Sequence, residues 1–186
     1  MRHPALMLAT TVACLGLLGC GDFLPLDEDP ATNVRISRFD PSPVAPIYDP
    51  QAGILLPTSN IYVENYSQVP VNFDHFKVEY FEATVPTPGL LANLNTQGMF
   101  TLYLPGVPTP DPYVPDSMAT RQIKVTSVGG LQILTAKAYE EITRGTVDYA
   151  DDLDMYAVVT LSGLTDSGIE AEIQGAVAIS SLLQQN

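Results

Sequence analysis

The sequence contains no tryptophan, two cysteines (Cys14 and Cys20) and two histidines (His3 and His75). Zinc and redox sites draw on cysteines and histidines at short spacing, and no CxxC or HExxH occurs. A Gly-rich phosphate loop is missing as well, so nucleotide chemistry has no motif behind it. Basic residues are scarce: 8 Lys and Arg stand against 21 Asp and Glu, a net charge of −13 over 186 residues. Binding to nucleic acid requires clustered Lys and Arg, which excludes it as a partner. There is no run of the roughly 20 apolar residues with which a helix crosses a bilayer. No internal period suggests a solenoid.

What is present is globular in character. At 46% hydrophobic and 16% charged residues the chain is too apolar to be disordered throughout, and its length suits one domain. The beginning is distinct from the rest. Arg2 is followed by an apolar run over 5–18 and then by Gly19-Cys20. One positive charge, a short apolar segment and small residues at its end form the layout of a secretory signal peptide.

Leu17-Leu18-Gly19-Cys20 resembles the bacterial lipobox, with an aliphatic residue three before the cysteine and a small residue just before it. The resemblance implies a signal peptide over 1–19, cleavage before Cys20, and a diacylglycerol on the Cys20 sulfur. Two or three acyl chains hold a protein stably where one is marginal. An ordinary signal peptide with a chance cysteine and an uncleaved anchor are the competing readings. Cleavage would remove Cys14, His3 and Arg2, leaving no intrachain disulfide and a net charge of −13 − 1 = −14. Gly21, where many enteric inner-membrane lipoproteins carry Asp, favours by the same resemblance the periplasmic leaflet of the outer membrane.

Residues 20–31 read as a lipidated acidic tether, with two prolines and Asp27-Glu28-Asp29. The eleven residues after Cys20 reach at most ~40 Å, so the following domain stays near the bilayer. The acidic run is repelled by anionic lipid and holds the domain off the surface.

From residue 32 the pattern is β. Strands are expected over 34–39, with Val34, Ile36 and Arg38 on one face, and over 60–65. Another is expected over 71–83, with Phe76, Val78 and Tyr80 opposite His75, Lys77 and Glu79. Further strands are expected over 99–104 and 119–127. Five prolines from Pro41 to Pro57 break the second stretch too often for a central strand, and 105–115 reads as an extended Pro-rich loop. Leu131, Leu134, Ala138 and Ile142 recur at helical spacing, predicting a helix over 130–144, although 131–134 also suits a strand. A closing hairpin is expected from strands over 155–162 and 169–180, joined by the loop 163–168.

About seven short strands with antiparallel links point to a β-sandwich over 32–186. The closing hairpin and the Val63-Glu-Asn…Pro70-Val71…Phe76-Lys-Val-Glu-Tyr80 stretch resemble immunoglobulin-like domains of bacterial envelope lipoproteins. That stretch is also similar to late-embryogenesis-abundant type 2 domains. The expected fold is therefore a mainly β, immunoglobulin-like antiparallel sandwich with one short helix, lacking the Trp and paired cysteines of antibody cores.

Residues able to carry chemistry are few. After cleavage His75 is the single histidine available to a Ser-His-Asp site, and its place among Lys77 and Glu79 on a polar face reads as a solvated residue. Asp148, Asp151, Asp152 and Asp154 offer oxygen ligands that calcium prefers, without the EF-hand spacing. Their other reading is a solvated acidic loop. Tyr48, in Pro46-Ile-Tyr-Asp-Pro50, and Tyr113, in Pro110-Asp-Pro-Tyr-Val-Pro115, stand on stiff loops. Tyrosine on a stiff backbone suits recognition, because it offers contact area at low entropy cost. Both rings packing down to anchor their loops is the alternative.

The function expected is thus non-catalytic binding or scaffolding by a membrane-tethered lipoprotein, with an envelope protein as partner and no cofactor. An enzyme or enzyme accessory acting on envelope glycans or peptides, and a calcium-stabilised adhesion module, are the alternatives.

Overall fold

The computed structural model describes residues 33–82, 89–107, 124–145, 155–180 and 184–185. The chain is mainly β, with antiparallel sheets and one helix among these residues. In chain order the strands are β1 (Val34–Asp40), β2 (Ile47–Asp49), β3 (Gly53–Leu55), β4 (Ser59–Asn65), β5 (Val71–Glu82), β6 (Gly89–Leu90), β7 (Thr96–Leu104), β8 (Lys124–Leu131), β9 (Met155–Thr165), β10 (Glu170–Ile179) and β11 (Gln184–Gln185). The helix α1 (Ala136–Gly145) lies between β8 and β9.

Two sheets share the core. The larger has the order β10–β9–β5–β7, with β6 also on β5; the smaller has the order β1–β4–β8. Alternation explains which residues meet. Ala171, Ile173, Val177 and Ile179 of β10, Ala157, Val159 and Leu161 of β9, and Phe73, Val78 and Tyr80 of β5 are buried, as expected for period-two strands. They pack in one cluster with Val34 and Ile36 of β1 and Ile61 and Val63 of β4. Burying each such aliphatic or phenyl side chain contributes about 1.5–3 kcal/mol. The sheets approach closely at Gly175, where an added Cβ would lie 3.0 Å from the Ile36 side chain.

Register irregularities re-phase the strands, one between β4 and β8 at Ser59–Ile61 and others in β1 and β5. β1 shifts register between Ile36 and Arg38, so Phe39, and not Arg38, follows Val34 and Ile36 into the core. β5 shifts between Phe73 and His75 against both neighbours. Against β9 the extra residue is Asp74, and against β7 it lies on β7 within Phe100-Thr101; the change of phase at Asp74 lets Val71 and Phe73 share the inner face with Val78 and Tyr80.

The helix begins later than its periodicity suggests. Gly130, at φ 78°, and Leu131 still belong to β8, where Leu131 pairs with Ser59. Ile133 and Leu134 are fully buried within the link to α1, which gives them helix-like spacing without a helix. Thr135 caps α1, its Oγ1 accepting from the Ala138 N–H at 3.2 Å. The Tyr80 hydroxyl donates to the Ile133 carbonyl at 2.6 Å, fastening this link beneath the larger sheet. Burial, partly offset by Thr135, pushes the Tyr80 phenol above its ordinary value of 10.0.

The two ends of the domain are built differently. At the end where β1 starts, buried Asn65 uses its whole amide. Its Nδ2 donates to the carbonyls of Val69 (2.9 Å) and Pro105 (3.2 Å). Its Oδ1 accepts from the Ser67 N–H (2.8 Å) and hydroxyl (2.9 Å). The Tyr66 N–H donates to Asn33 and the Val107 N–H to Ser67, tying three chain segments together. This is the physical role of the asparagine in the Val63–Tyr80 stretch. At the opposite end Asp40, Ser59 and Leu131 leave the smaller sheet, and a third sheet, β11–β2–β3, is attached there.

Candidate functional site

The attached sheet is centred on a hairpin. β2 and β3 pair Ile47 with Leu55, Tyr48 with Ile54 and Asp49 with Gly53. Asp49 Oδ1 accepts from the N–H groups of Gln51 (2.7 Å) and Ala52 (2.8 Å), closing the turn after Pro50. These bonds, Ala52 first and Gln51 second, hold the Asp49 carboxyl below its ordinary value against a small opposing effect of burial. Gly53 returns the chain at φ 84°, which a side chain would strain. The five prolines read as breaks thus frame a short hairpin, and the Asp-Pro…Gly sequence was its signal.

The hairpin is tied to the body through its leading segment. The Val44 N–H donates to Ala178 and the Ser180 N–H to Val44, both at 2.9 Å, and Val44 and Ala45 are buried. β11 adds to β2 in parallel, Gln185 opposite Tyr48. Beyond these anchors the hairpin is apolar and open: Tyr48 and Ile54 are each 46% exposed and share one face. Leu55, on the other face, is 42% exposed. A tyrosine beside an aliphatic neighbour on a pinned turn offers contact area whose conformational entropy has already been given up.

A second assembly lies on the outer face of the larger sheet. Register brings Met99, His75, Ser162 and Glu172 into one row across β7, β5, β9 and β10. Gln97, Lys77, Thr160 and Gln174 form the next. The rows, Gln174 apart, line an open depression of about 580 Å³. His75 Nδ1 stands 2.5 Å from Asp74 Oδ1, and Lys77 Nζ is 2.7 Å from Glu79. The pairs form along β5 itself, leaving the depression flanked by Met99 on one side and Glu172 on the other. An activated serine requires its hydroxyl on the imidazole. Among the described residues no hydrogen bond joins Ser162 to His75. Sequence spacing gave no sign of this grouping, because it exists only through cross-strand register.

The outer face of the smaller sheet is occupied by its own side chains. Arg35 pairs with Glu64 at 3.0 Å and lies over the Tyr66 ring, whose hydroxyl donates to Glu64. Arg38 lies 3.9 Å from the centre of the Tyr62 ring. Burial raises the Glu64 carboxyl, but the hydrogen bonds of Tyr66 and Arg35 outweigh it and hold the group below its ordinary 4.5.

Of the residues singled out in the sequence, Tyr48 and His75 are placed as above. Cys20, Tyr113, Asp148, Asp151, Asp152 and Asp154 lie outside the described residues. Among the described residues there is no group of three or more His, Cys, Asp or Glu able to hold a metal, and no helix long and apolar enough to cross a membrane. No protein-family model, curated protein or solved structure matches the chain.

Proposed function

We propose that the chain is a lipid-anchored binding module of a bacterial envelope, held through Cys20 and recognising a protein partner through the β2–β3 hairpin. The observation that carries the reading is the half-exposed Tyr48–Ile54 pair on a pinned turn at the end away from Asn33. A tether entering at Asn33 leaves that hairpin pointing away from the membrane. Gly21 supports the periplasmic leaflet of the outer membrane. An immunoglobulin-like sandwich is the fold proposed, supported by β1–β4–β8 lying against β10–β9–β5–β7 with crossings at β4–β5, β7–β8 and β8–β9. Binding, without a chemical step, is the activity.

Cross-linking in intact membranes, with mass spectrometry of the N-terminal peptide, tests both halves. The expected result is a lipid mass on Cys20 and one discrete partner that Tyr48→Ala loses. An N-terminus retaining Met1 would overturn the anchor; a partner retained by Tyr48→Ala would overturn the hairpin. The Asp74–His75 pair beside Ser162 favours a second reading, an envelope hydrolase. Ester hydrolysis by the purified chain, lost in Ser162→Ala, would establish that reading instead.

A further inference from the structure

In a regular strand consecutive side chains point to opposite faces, so Asp74 and His75 would point apart and His75 would share the inner face with Phe73. The bulge at Asp74 changes both relations. It turns His75 to the outer face of the larger sheet and brings the Asp74 carboxylate to it, Oδ1 lying 2.5 Å from Nδ1. A carboxylate at Nδ1 calls for the proton there, which leaves the lone pair of the neutral imidazole on Nε2. A histidine backed in this way has its ring fixed and its other nitrogen made a better metal ligand.

The residue abreast of His75 on β7 is Met99. Directly opposed residues of an antiparallel pair hold their Cβ atoms about 4.5–5.5 Å apart, near enough for one ion to bridge an imidazole nitrogen and a thioether sulfur. Both side chains are open, Met99 at 77% and His75 at 56% exposure, and both line the depression. Among the described residues no three His, Cys, Asp or Glu come together as zinc and calcium sites require. An imidazole with a thioether suits instead a soft cation that is satisfied by few ligands, which selects Cu(I). We propose that His75 Nε2 and Met99 Sδ form a copper(I) site on the outer face of the larger sheet, with Asp74 as its positioning residue. Ser162 and Glu172, farther along the same row on β9 and β10, offer hard oxygen that Cu(I) does not prefer. The site does not depend on the hairpin or on Cys20.

Anaerobic titration of the full chain in detergent micelles with Cu(I), kept in solution by acetonitrile, tests it. The cysteine thiols are alkylated beforehand so that they cannot take the ion. Read by NMR of the methionine methyl groups and the histidine rings, the Met99 methyl and the His75 ring should shift together and saturate at one equivalent. Met99→Leu and His75→Gln should each weaken binding by more than about tenfold, and Asp74→Asn by about tenfold, with the circular dichroism unchanged. Met99 is exposed, so its replacement by leucine keeps the test sound if a change in β5 misfolds the chain. A Met99 methyl that does not move, or binding that Met99→Leu leaves intact, would overturn the proposal. So would binding lost in Glu172→Gln and kept in Met99→Leu, which would assign the ion to oxygen ligands.

Discussion

The two ends of the domain solve opposite problems. Where β1 begins, every polar group of Asn65 is consumed in joining the 66–70 turn to Pro105, and Asn33 and Val107 are drawn into the same knot. At the other end, one exposed carboxylate closes the β2–β3 turn, and the side chains beyond it are apolar and half open. The lesson is that satisfied buried polarity marks a joint, whereas apolar surface on a rigid turn marks something left for a partner.

Substitutions can break that contrast. The largest effect is expected for Asn65→Ala, which strands the Pro105 carbonyl and the Ser67 N–H and leaves the Val69 carbonyl to the Ser67 hydroxyl alone. A loss of about 3 kcal/mol in urea denaturation follows from leaving buried groups unpaired. Gly106→Ala attacks the same joint sterically. An added Cβ would sit 2.1 Å from the Gln68 carbonyl oxygen, so the two segments must part, at about 2 kcal/mol in the same measurement.

Glu64→Gln is smaller, about 0.5–1 kcal/mol, as for partly exposed ion pairs. Its signature is in pH. The folded carboxyl lies below its ordinary 4.5, so its contribution is complete above that value and is lost as pH falls through the lower folded value. A urea midpoint measured against pH should therefore fall less steeply on the acid side in the variant. Tyr48→Ala sharpens the contrast from the other end: stability should change by less than about 0.5 kcal/mol while the cross-linked partner is lost. A stability loss as large as that of Asn65→Ala would make the hairpin a second joint.

Much of the larger sheet was legible in advance. β10 and the second half of β5 alternate so regularly that their inner and outer faces follow from residue order. The failures share a cause in tertiary structure. Alternation puts Arg38 on the face of Val34 and Ile36, because one extra residue in β1 cannot be seen in a two-residue period. The helix begins six residues later than its spacing predicts, because Leu131 is buried as a strand residue of β8 and Leu134 in the link that follows, not on a helical face. Continuation of β9 through Gly163 to Thr165 shortened the expected loop, since those residues still pair with β5 and β10. Tyr48 was visible from its prolines. The row of Met99, His75, Ser162 and Glu172 was not, because no local pattern records which residues on separate strands lie abreast.

β1 has a mechanical meaning as well. It runs from Asn33, at the knotted end, to Asp40, on the way to the hairpin, and is laddered to β4 along its length from Val34 to Asp40. A pull applied between those two ends acts along the strand rather than across it. The ladder is then loaded in shear, its hydrogen bonds sharing the force instead of opening one after another, and the domain resists stretching in the direction that separates Asn33 from Tyr48.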